Sequence, residues 1–89
     1  MGSRPGRLAF TVHRWNSWKW EVFDQGYFVL EGSQPDDTSV DGLRTTLEDS
    51  VRRYSEPNPA RWMGARMRLT AGSTAVVGTW TGERMEFEN

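Results

Sequence analysis

The chain has no cysteine and a single histidine, His13. The first absence excludes a disulfide framework, a thiolate metal site and a cysteine nucleophile. The second excludes a histidine-rich metal site. No apolar run approaches the roughly 20 residues a membrane-crossing helix needs. The N-terminus carries basic residues but no continuous apolar stretch, so it does not read as a secretory signal. The expectation is a soluble, cytoplasmic protein with no membrane partner. Its 89 residues and 10.2 kDa suffice for one small domain.

Lysine is nearly absent as well: Lys19 stands against ten arginines. Arginine offers a planar five-donor fork suited to interfaces and phosphates. The net charge of −1 and pI near 5.8 speak against a generic nucleic-acid coat, which shows as a basic domain. The charge is unevenly placed, however. Arg4, Arg7, Arg14 and Lys19 have no acid among them in residues 1–20. Residues 21–56 are acid-rich, and Arg61, Arg66 and Arg68 follow without an acid up to residue 82. A locally basic face is therefore compatible with the acidic whole. Five tryptophans in so short a chain are many, and tryptophan serves both cores and binding hot spots.

Hydrophobic alternation predicts strands from Leu8 to Trp15, from Trp18 to Phe23 and from Tyr27 to Glu31. Asp24-Gln25-Gly26 reads as a hairpin turn. A three-residue Asn16-Ser17-Trp18 loop places His13 opposite Glu21 and keeps the faces consistent. One face then carries Leu8, Phe10, Val12, Trp20, Val22, Phe28 and Leu30. The other carries Thr11, His13, Trp15, Lys19, Glu21, Phe23, Tyr27, Val29 and Glu31. Gly32 to Asp37 reads as a turn segment. Val40, Leu43, Leu47, Val51 and Tyr54 form one apolar helical stripe. Thr38 with Asp41 resembles a capping box, and Pro57 and Pro59 forbid continuation. Strands follow at Ala65–Thr70, Thr74–Trp80 and Arg84–Glu88. Three-residue loops between them place Met67 opposite Val77 and Val77 opposite Phe87. The expected class is α+β. Residues 1–7 form a flexible leader and 8–89 one domain of order β-β-β-α-β-β-β. That domain comprises a meander over 8–31, a helix over 38–54 packed on one face of antiparallel sheet, and a second meander over 65–88.

Catalytic chemistry finds few carriers. His13 opposite Glu21 is the one acid–base pair that can be built, and no nucleophile or oxyanion donor accompanies it. Asp36, Asp37 and Asp41 lack the alternating ligands of a calcium loop, and helix capping explains them. Gly72, Gly78 and Gly82 sit in hairpins rather than in a strand–loop–helix phosphate motif. The sequence points to a protein that is not an enzyme and holds no metal or cofactor.

Two candidate surfaces result. One is Trp15, Phe23, Tyr27 and Val29, with His13 beside them. The other is Arg66, Arg68, Trp80 and Arg84, joined by Arg61 and Trp62, with arginine beside tryptophan in a cation–π arrangement. The leading expectation is a small inhibitor or adaptor that binds another protein through these residues. The alternative is a nucleic-acid-binding module using the arginine and tryptophan strand face. One helix cannot cover both faces of the sheet, so a homodimer that buries the uncovered face is a further expectation.

Overall fold

The computed structural model describes residues 6–30 and 39–88. It contains β1 (Gly6–Trp15), β2 (Trp20–Leu30), α1 (Val40–Ser55), α2 (Pro59–Trp62), β3 (Arg66–Ala71), β4 (Thr74–Trp80) and β5 (Met85–Phe87). The five strands form one antiparallel sheet in the order β2-β1-β3-β4-β5. α1 packs on β3, β4 and β5. The class is α+β, as the alternating and helical periodicities predict.

Two physical features settle α1. Ser39 caps its start, the side-chain oxygen accepting from the Gly42 backbone N–H at 3.0 Å. Leu43, Leu47 and Val51 are fully buried, each contributing about 1.5–3 kcal/mol by burial. Val40, expected in the same stripe, is 46% exposed at the open end of the helix. Thr38, Asp36, Asp37 and the Gly32–Asp37 turn lie outside the described residues. α2 was not expected. It begins on Pro59, whose missing N–H is harmless in a first helical turn. It lowers Trp62 into the core, 7% exposed.

The first meander differs from its sequence reading. Asp24-Gln25-Gly26 is no turn but the middle of one 11-residue strand, so the sheet has five strands rather than six. Asn16 to Lys19 form the connecting loop, closed by the Asn16 N–H donating to the Lys19 carbonyl at 3.0 Å. The Asn16 side chain accepts from the Trp18 and Lys19 N–H groups. That loop sets Trp15 opposite Trp20 and Arg14 opposite Glu21. The register then slips: His13 faces Val22, but Val12 faces Asp24. Phe23 is the extra residue of a β-bulge, and a bulge re-aims every side chain on one side of it. Gly26 continues the strand under the Phe10 ring, where a Cβ would come within 2.9 Å of the ring edge. Gly6 and Arg7, expected in the leader, open β1 opposite Leu30 and Val29.

The second meander differs by one residue. Ala71 pairs with Thr74, so the β3–β4 turn is the two-residue Gly72-Ser73, with Gly72 at φ +60°. Met67 therefore faces Gly78 and not Val77, and Gly78 rather than Val77 faces Phe87. Val76 and Trp80 accordingly turn toward α1 and are buried.

Candidate binding face

The sheet has one face under the helices and one that no described element covers. On β3, Met67, Leu69 and Ala71 are buried beneath α1. Arg66, Arg68 and Thr70 alternate to the other side. β1 pairs directly with β3, setting His13 opposite Arg68 and Thr11 opposite Thr70. Trp15 and Trp20, paired with each other, and Val22, paired with His13, share this face. The bulge is the reason Trp20 and Val22 lie here instead of in the core.

The centre of the face is an aromatic and guanidinium cluster. Trp15 and Trp20 meet edge to face, with ring centroids 5.3 Å apart. The Arg68 guanidinium lies 4.6 Å from the Trp20 ring centroid, and that of Arg66 lies 5.0 Å from it. Arg66 also stands 5.6 Å from the Trp15 ring. These are cation–π distances. Arg66 donates through Nε and a terminal nitrogen to both Glu88 oxygens, at 2.7 and 2.9 Å. This fork-on-fork hydrogen bonding holds the Glu88 carboxyl below the usual range and raises Arg66 further. At the rim, Arg84 stands 3.8 Å from Glu86.

Arg68 has no ion pair among the described residues, and its Nε is buried without a hydrogen-bond partner. The same is true of His13 Nδ1 across the strand pair. Burial lowers the His13 pKa below its ordinary value, and the Arg68 charge lowers it further. The expected His13–Glu21 pair does not form, because the four-residue Asn16–Lys19 connection sets Arg14 opposite Glu21 and His13 opposite the neutral Val22.

Toward the far end, Val22 and Tyr27 are 61% and 65% exposed. Beside Tyr27 lies a dent of about 310 Å³, lined by Ala9, Phe10, Thr11, Gln25, Gly26 and Tyr27. Among the described residues no three His, Asp or Glu side chains come together as metal ligands. No described helix is long and apolar enough to cross a membrane.

Of the residues singled out from sequence, Trp15, Tyr27, Arg66 and Arg68 share this face, with Arg84 at its rim. Phe23 does not. It packs edge to face on Tyr54 and Trp62, on the helix side. Trp80 is 2% exposed under α1, with the Arg52 guanidinium 5.7 Å from its ring. Trp62 is buried too, beneath Arg14 at 4.9 Å. Trp20 and Val22 were missed, since alternation alone assigned them to the core and a bulge has no sequence signature of its own. The chain matches no protein-family model, no curated protein and no solved structure.

Proposed function

We propose that this is a non-catalytic protein that binds another protein through its helix-free sheet face. The observation that carries the reading is the Trp15–Trp20–Arg66–Arg68 cluster on a face that no described element covers. Tryptophan and arginine are the residues most enriched at interface hot spots. The cluster is half-buried and braced by the Arg66–Glu88 pair, so little side-chain freedom is lost when a partner lands. Val22 and Tyr27 extend it with exposed apolar surface.

Charge favours a protein over a nucleic acid. Arg66 and Arg84 are each matched by a glutamate on or beside β5. Phosphate-backbone binding draws on several unpaired cations in a row, and among the described residues the cluster itself holds only Arg68 without a carboxylate.

Site-specific photo-crosslinking tests the reading. A photoreactive residue in place of Val22 or Tyr27 should yield a discrete protein adduct in the cells that make the protein. The same probe in place of Thr45, exposed on α1, should not. Absence of an adduct from the sheet positions, or equal adducts from Thr45, would contradict it.

A further inference from the structure

Resting on that reading, we propose that the partner anchors itself with a carboxylate set on the Arg68 guanidinium, between His13 and the Trp20 ring. Three guanidinium groups stand at the aromatic cluster or its rim, those of Arg66, Arg68 and Arg84. Arg66 spends its fork on Glu88, and Arg84 stands beside Glu86. Arg68 alone of the three has no carboxylate among the described residues, yet its guanidinium is held at 4.6 Å from the Trp20 ring centroid. Its strand neighbours supply no counter-charge: β1 sets His13 opposite it and β4 sets Val77 opposite it.

A cation held in place without a counter-ion is an unusual expense for a fold, and a ligand that brings the missing charge gains from it. The match is to a carboxylate, whose two oxygens fit the planar fork of arginine. A single such group suffices. The acids around the spot make a polyanion a poorer occupant, because Glu86 and Glu88 line the β5 side. The occupant is thus an aspartate, a glutamate or a C-terminal carboxylate on the partner protein, flanked by apolar side chains that cover Trp20 and Val22.

His13 supplies a readout separate from binding. The charged group facing it is Arg68 on β3. β2 presents neutral Val22, and the Arg66–Glu88 pair lies farther along β3 and β5. A carboxylate on Arg68 offsets the charge that disfavours protonated His13, so binding raises the His13 pKa.

The test is a magnetic-resonance titration of the whole protein with sodium acetate against sodium chloride at constant ionic strength. Acetate should shift the Arg68 Nε–H and Trp20 indole signals and raise the His13 pKa. Arg68→Gln should abolish the His13 response, Arg68→Lys should reduce it, and Arg53→Gln, exposed on α1, should leave it in place. No acetate-specific shift, or a response that survives Arg68→Gln, overturns the proposal. So does an oligothymidine that shifts the same signals more strongly than acetate and loses that effect steeply with salt. The photo-adduct separates this inference from the reading beneath it. An adduct from the Tyr27 position that persists in Arg68→Gln defeats the carboxylate anchor alone. Failure to form any adduct with the wild-type face defeats the protein-binding reading, and the acetate titration then still decides whether Arg68 takes a carboxylate.

Discussion

The Tyr54 hydroxyl, near the end of α1, donates to the Asp24 carboxylate at 2.5 Å across 30 residues of sequence. This bond, with Phe23 packed on Tyr54 and Trp62, fastens the bulge of β2 to the helices. It therefore also fixes which face Trp20 and Val22 occupy.

Burial raises the Tyr54 pKa to about 12, with the Asp24 hydrogen bond and charge adding to it. An acid whose pKa is higher folded than unfolded contributes stability that is fully present below the unfolded value. That contribution is lost as pH rises from about 10 toward the folded value. Ultraviolet titration should show one phenol ionising near 12, absent in Tyr54→Phe. The variant should lose about 1.5–3 kcal/mol at neutral pH, as for a bond to a charged acceptor. It should also lose the alkaline decline assigned to Tyr54.

His13 gives a slope at the other end. Its pKa is lowered in the fold, so the unfolded chain takes up the proton first. Stability should fall as pH drops below about 6.5 and level off below the folded pKa. Denaturant midpoints measured between pH 7.5 and 5 should fall in wild type and stay flatter in His13→Gln.

Trp80 and Tyr27 should behave in opposite ways. Trp80→Ala removes a fully buried indole under α1 and should cost about 3–5 kcal/mol in denaturant unfolding. Tyr27→Ala touches an exposed ring and should stay within about 0.5 kcal/mol of wild type, while weakening the partner complex. A stable Trp80→Ala protein would contradict the register of the β3–β4 hairpin.

Gly78 is required by space. A Cβ there would lie 2.6 Å from Met85 Cγ and 3.0 Å from the Glu86 carbonyl oxygen. Gly78→Ala should cost about 1–3 kcal/mol through overpacking. It should also speed hydrogen exchange at the Glu88 N–H, which donates to the Val77 carbonyl at 2.8 Å.

The helix was legible because Leu43, Leu47 and Val51 repeat at a spacing that only one backbone turns into a stripe. β3 was legible because Arg66 and Arg68 alternate with Met67 and Leu69. The faces of β2 were not. Asp24-Gln25-Gly26 has ideal turn chemistry, and its pairing with Val12, Thr11 and Phe10 of β1, with the contacts of Phe23 and Asp24 on Tyr54, keeps it extended. A two-residue Gly72-Ser73 turn and a three-residue loop also read alike, and the choice between them decides whether Trp80 is core or surface. The candidate site was split for a further reason. Trp15 and Tyr27 fell in one expected patch and Arg66 and Arg68 in another, because strand order is not written in local pattern. The pairing of β1 with β3 joins them.

Hydroxyl-radical footprinting of the protein, free and bound to the partner that photo-crosslinking identifies, tests the central claim most directly. Tyr27, Trp20 and Trp15 should lose oxidation on binding. Met63, 65% exposed at the end of α2, should not. Protection of Met63 with Tyr27 and Trp20 unchanged would place the partner on the helix side and contradict the account.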